Sequence, residues 1–89
     1  MVDATDALLQ ERAKTHGSYR VHAEVTQALK GIVEASPDRK FQQLSAQHRE
    51  ALHMILHKIG RIMAGNPDYN DHWDDIAGYA KLASEACKK

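Results

Sequence analysis

The chain is poor in the residues that staple, kink or stack: in 89 residues it has one cysteine, two prolines, one tryptophan and one phenylalanine. Each shortage excludes something. A lone cysteine, Cys87, cannot close an internal disulfide, and it excludes a cysteine-rich zinc motif and a disulfide-stapled secreted scaffold. Charge of one sign is also missing, since Lys plus Arg and Asp plus Glu both number 12. A neutral chain has no electrostatic footprint for DNA, RNA or an anionic membrane. No apolar run reaches the ~20 residues of a membrane span. The start of the chain carries Asp3 and Asp6 rather than a basic-then-apolar leader. These absences lead to the expectation of a cytoplasmic protein with neither nucleic acid nor membrane as partner.

What is there reads as helix almost throughout. Gly and Pro fall at breaks, and no period-2 segment competes with the 3.6-residue pattern. The expected fold is an all-α, small antiparallel bundle in one domain, residues 1–89. It has about four helices, with a central hairpin formed by residues 45–64 and 70–86. His16-Gly17 ends a first helix that begins near Asp3, Ser18 and Ser45 are N-caps for the second and third, and Asn70 or Asp68 can cap the fourth. Between Ala35 and Leu44, Pro37 blocks helix continuation, and Phe41 and Leu44 are expected to fold back onto the core. A chain this short buries little surface, so a homo-oligomer, a dimer or larger, is a natural way to complete the core.

The faces are less one-sided than a simple bundle needs. On the second helix Val21, Val25, Ala28, Leu29, Ile32 and Val33 form the apolar stripe, and His22 reads as a surface residue. On the third the stripe is Leu52, Ile55, Leu56, Ile59, Ile62 and Met63, with Glu50, Met54, His57 and Arg61 on the far side. On the fourth it is Trp73, Ile76, Ala77, Ala80 and Ala83. Asp71, Asp75, Gly78, Tyr79 and Leu82 lie opposite, and a purely solvated side has little need of Tyr79 or Leu82. These second faces are expected to be partly covered, by another helix or another subunit.

Charge gathers at the Gly65-Asn66-Pro67 break of the hairpin. Asp71 and Asp75 are four apart and share a face near a helix start, where they could ligate Mg2+ or complement the helix dipole. Asp74 points about 100° away. Lys58 and Arg61 precede the break and could hold phosphate, Arg61 as a bidentate donor, or pair with Asp71 or Asp75. A second polar cluster is Arg12-Ala-Lys-Thr-His-Gly-Ser-Tyr19, where helix-start N–H groups near Ser18 could receive a phosphate beside Arg12, Lys14 and Tyr19. Tyr19 and Tyr79 are the stacking candidates for a base. Glu50, His53 and His57 run along one helix side, but no His-Glu-x-x-His is present. Six histidines in this length should make the chain cationic just below neutral pH.

Three segments together, Arg12 to Tyr19, Lys58-Ile-Gly-Arg61 and Asp71-His-Trp-Asp-Asp-Ile-Ala-Gly-Tyr-Ala80, resemble small phage and prophage proteins of unknown function. That pattern is distantly similar to nucleotide-modification-associated domains and to the MazG-like all-α NTP pyrophosphohydrolases. The resemblance implies a helical oligomer in which acidic residues hold Mg2+ against a nucleoside triphosphate, and a host-cell cytoplasm if the chain is phage-encoded. In the Glu-x-x-Asp motif of those enzymes, Asp75-Ile76 matches the Asp end, His72 stands at the Glu position, and Asp71 is one residue away. Glu50-x-x-His53 is the nearest counterpart of their other acidic motif. The expectation is therefore a phage-type nucleotide-binding protein with Lys58, Arg61, Arg12, Lys14, Tyr19 and Tyr79 on phosphate or nucleotide, and Asp71, Asp75 and Glu50 on Mg2+. Its acidic motif is incomplete for an NTP pyrophosphohydrolase-like activity. The alternatives are a non-enzymatic accessory protein that sequesters a host nucleotide signal or inhibits a host protein, and a purely structural helical module.

Overall fold

The structure is a computed structural model and describes residues 3–35, 38 and 40–88; the expectation placed on Pro37 lies outside them. The elements are helices α1 (Ala4–His16) and α2 (Tyr19–Glu34), a 3-10 turn (Phe41–Gln43), α3 (Ala46–Ala64) and α4 (Asn70–Cys87), with no strand among the described residues. The all-α expectation holds, and the hairpin falls within a residue of its expected bounds.

Local chemistry explains most of the boundaries. Asp3 Oδ1 accepts the Asp6 N–H at 2.8 Å, Ser18 Oγ accepts from Val21 at 3.3 Å, and Ser45 Oγ accepts from His48 at 3.2 Å. Each side chain satisfies a backbone donor that the first turn leaves orphaned. Gly17 closes α1 at φ +70°, the only positive φ among the described residues. The start of α4 differs from expectation. Neither Asn70 nor Asp68 caps it; Tyr69 is the N-cap residue and makes no side-chain cap bond. Asn66 is the reason: its Oδ1 accepts from Asp68 at 3.0 Å and its carbonyl from Tyr69 at 3.1 Å, a turn that delivers the chain into the helix already bent.

Helix α3 is the centre of the molecule, with α2 and α4 both packed along it, while α1 touches α2 and α3 at only a few points. The outline is elongated, 52 × 26 × 23 Å. Phe41 and Leu44 do turn back: Phe41 is buried with its ring 5.1 Å from that of His53, and Leu44 is half-buried. The apolar core is small: Phe41, Ala51, Leu56 and Ile62, continued by three polar residues, His22, Thr26 and His72.

Those three residues correct the expected faces. On α2 the side toward α3 is His22, Thr26, Leu29 and Val33, one residue round from the expected stripe, and Ala28 and Ile32 are exposed. His22, read as a surface residue, is only 4% exposed. On α4 the covered side is His72, Asp75, Ile76, Tyr79 and Ala83, whereas Ala77 and Ala80 are exposed and Trp73 is 53% exposed. On α3 Met63 is 61% exposed although it sat in the expected stripe. Two sides of nearly equal apolarity were available on α4, and partners specific to the polar one decide between them: Lys58 for Asp75, and the α1–α2 joint for His72.

Candidate anion-binding site

The sequence places the two polar clusters, Arg12 to Tyr19 and Lys58 to Asp75, far apart along the chain, and the fold merges them. The α1–α2 joint lies directly on the α3–α4 joint, backbone to backbone. Asn66 donates its N–H to the Thr15 carbonyl at 3.2 Å. A Cβ on Gly17 would overlap the Ala64 carbonyl, and one on Gly65 would press on Thr15 and Gly17. Only two glycines allow this approach, and it brings Arg12 and His16 to Arg61 and His72.

A cleft of about 520 Å³ opens at this junction, lined by Arg12, His16, Ser18, Tyr19, His22 and Arg61, with Leu9 and Ala13 as an apolar wall. Among the described residues no carboxylate is part of the lining. Nor does any carboxylate pair with Arg12 or Arg61 among the described residues. The Arg61 Nε–H donates to His57 Nε2 at 3.2 Å, which leaves its terminal amino groups for another partner. Burial, and then the neighbouring Arg12, pull the Arg61 pKa below its usual value. Two guanidinium groups thus approach one another in a recess with no acid between them.

Three histidines at the cleft, His16, His22 and His57, have pKa values below that of a free imidazole. Burial first, then Arg61 and His72, lower the His16 pKa to about 4. For His57 the causes are burial, then His22 and Arg61, and its pKa also falls to about 4. Burial and Arg61 move His22 in the same direction. Hydrogen bonding agrees, since an Arg donor requires an unprotonated Nε2 on His57. His72 Nε2 lies 3.4 Å from the Thr15 carbonyl and 3.2 Å from His16 Nδ1. Between the two rings one nitrogen donates and the other accepts, so a single proton links His16 to His72. His22 and His57 meet edge to face, with ring centres 4.4 Å apart.

The remaining expected site residues are distributed differently. Lys58 Nζ pairs with Asp75 Oδ2 at 2.9 Å, which holds the Asp75 pKa below the usual carboxylate range. Of the pairings open to Lys58 and Arg61, the one formed is Lys58–Asp75, because Lys58 is the cation that faces α4. Asp71 accepts the Tyr69 hydroxyl at 3.0 Å, and Asp74 accepts from Asn70 at 2.7 Å. Lys14 is exposed and pairs with Glu11 at 3.1 Å, away from the cleft. Glu50 and Tyr79 line a separate, mainly apolar groove of about 690 Å³ between α3 and α4, with Ala51 and Leu82. Glu50 stands two turns, about 12 Å of helix, from Lys58. His53 faces Glu34 at 3.3 Å, and His48 Nε2 lies 2.9 Å from the Ala83 carbonyl. Glu50, Asp71 and Asp75 do not converge. Among the described residues no group of three or more His, Cys, Asp or Glu is placed to hold a metal ion.

Four histidines of this cluster carried no expected role here: His16, His22, His57 and His72. One signal was present. His22 and Thr26 are four apart and in phase with Leu29 and Val33, so two polar residues occupied a core register.

The model of the domain of unknown function DUF6378 matches residues 1–87, and the chain belongs to that family. No curated protein and no solved structure matches it.

Proposed function

We propose that the protein is a nucleotide-binding module of phage type whose ligand places its phosphate in the α1–α2–α3 cleft, against Arg12 and Arg61. One observation carries this reading: both guanidinium groups line a recess without a carboxylate partner, and Arg61 is half-buried there. A cation partly withdrawn from water is costly unless an anion joins it, so such a pair favours an anionic ligand. The start of α2 adds to the field, since no acidic residue occupies its first turn. Tyr19, 82% exposed at the rim, offers a face for a base.

The reading keeps the nucleotide side of the likeness to MazG-like enzymes and small phage proteins, and it routes no step through Mg2+. Asp75 pairs with Lys58, Asp71 accepts from Tyr69, and Glu50 lines a separate groove, so the reading rests on the two arginines and places no weight on these acids. Calorimetric titration with a panel of nucleotides tests the proposal. Saturable binding that Arg61→Ala weakens at least tenfold supports it, and silence across the panel would overturn it.

Self-association belongs to the same reading. Trp73, Met63 and Leu82 are large apolar residues more than half exposed, which suits a homo-oligomer. Light scattering should give a mass at least twice the 10.0 kDa of the chain; a monomer at micromolar concentration contradicts it.

A further inference from the structure

The charge and donors of the cleft are few enough to count, and they restrict which phosphate it suits. From α1 comes Arg12, and from α3 Arg61. Lys58, the next cation on α3, is bound to Asp75 at 2.9 Å, and Lys14 on α1 is turned out toward Glu11. From α2 come its unopposed N-terminus and two side chains, Ser18 and His22. His22 is a feature of a different kind. It is only 4% exposed, it lines the cleft, and its ring has no hydrogen-bond partner among the described residues. Its ring nitrogens are not sealed away, since among the described residues Thr26 Oγ1 is the one fully buried side-chain N or O atom without a partner, so the imidazole can meet a ligand that enters the cleft.

Building on the nucleotide reading above, we infer that the ligand is a phosphomonoester dianion, gripped by Arg12 and Arg61 and hydrogen-bonded by the His22 ring. Two guanidinium groups and a helix N-terminus balance a monoester, which carries about −1.5 to −2 at neutral pH. Each further phosphate adds negative charge that no remaining cation of the lining meets among the described residues. The lowered pKa values of His16, His22 and His57 fit this count, since none of them supplies charge at neutral pH. The organic part of the ligand has room: about 520 Å³ lies within the range of small-molecule sites, with Leu9, Ala13 and Tyr19 to cover it.

Calorimetry on the full chain, run once with EDTA and once with Mg2+, decides the matter. The probes are AMP and dCMP, their di- and triphosphates, ribose 5-phosphate and inorganic phosphate. The expected result is a monophosphate at least tenfold tighter than the triphosphate of the same base in both conditions. His22→Gln and Arg12→Ala should each weaken it at least tenfold, and Arg12, being exposed, can be removed without harm to folding. A triphosphate that binds as tightly as the monophosphate, or more tightly, overturns the inference and leaves the nucleotide reading standing. Ribose 5-phosphate binding that matches AMP upholds the phosphomonoester and overturns the nucleotide. No binding by any probe overturns both.

Discussion

Thr15 accepts the backbone N–H of Asn66 at 3.2 Å, and through that bond the joint between α1 and α2 is fastened to the joint between α3 and α4. The fastening depends on Gly17, which combines φ +70° with a position against the Ala64 carbonyl that no side chain can share. Gly17→Ala therefore carries two penalties, about 1–3 kcal/mol for the backbone conformation and about 1–3 kcal/mol for the overlap. Gly65→Ala carries only the second, since its φ of −125° suits any residue. Urea unfolding should rank the variants wild type, then Gly65→Ala, then Gly17→Ala. An equal loss in the two would mean that backbone conformation contributes nothing at position 17.

Thr26 has the one buried side-chain oxygen without a hydrogen-bond partner among the described residues, and it sits where α2 crosses Gly60. A hydroxyl that has lost water and gained nothing is a standing cost. Thr26→Val keeps the shape, removes that cost and should stabilise by about 1 kcal/mol, a rise of about 4–8 °C in Tm for a chain of this size. Thr26→Ser keeps the hydroxyl and should give no gain. Scanning calorimetry separates the two, and a lower Tm for Thr26→Val would show that the hydroxyl has a partner in solution.

The fold was legible in the sequence where the determinant is local, and the site only in part. Ser18, Ser45 and Gly17 act within one turn of their own positions, so those boundaries can be read from neighbours a few residues away. The inward side of α4 cannot, because Ile76 and Ala83 suit either orientation and the decision lies with Lys58 on another helix. Arg12, Tyr19, Lys58 and Arg61 can be picked out as charged or aromatic residues near breaks, but the sequence leaves open which cation meets which acid. Lys58 rather than Arg61 meets Asp75, since only the hairpin's crossing fixes which cation faces α4. His22 was missed because an isolated His looks like surface until Thr26, one turn on, is placed in the same core register.

Acid should weaken the protein well before its carboxylates titrate. His16 and His57 titrate near 4 when folded, against a reference of 6.5. Between those values the unfolded chain binds more protons than the folded one, so stability falls as pH drops. The contribution is complete above about pH 6.5, declines through the window, and is spent near pH 4. Asp75 acts lower down: Lys58 depresses its pKa from 3.8, so that contribution survives the histidine window and is lost only as pH falls through the depressed value. Urea midpoints measured from pH 8 to 4 should decline mainly below 6.5, and His57→Gln should flatten part of the slope. A flat profile between 6.5 and 4.5 would show that these rings are not kept neutral by the fold.

Lys58 and Arg61 stand three residues apart on α3, yet the structure gives them separate tasks. Lys58 is consumed by Asp75, a pair whose carboxylate is 46% exposed, so Lys58→Met should cost no more than about 1 kcal/mol of stability. Its effect on binding should be under threefold, because Lys58 does not line the cleft. Arg61 is the reverse case. It has no carboxylate to lose, and its removal relieves repulsion with Arg12, so Arg61→Ala should leave Tm within a few degrees while weakening the bound anion. A charge-assisted hydrogen bond is worth about 1.5–3 kcal/mol, which amounts to a tenfold to hundredfold loss in affinity. Paired melting and titration curves for both variants check this division. If Arg61→Ala melts early while ligand affinity survives, its guanidinium is a packing element and the cleft is not the binding site.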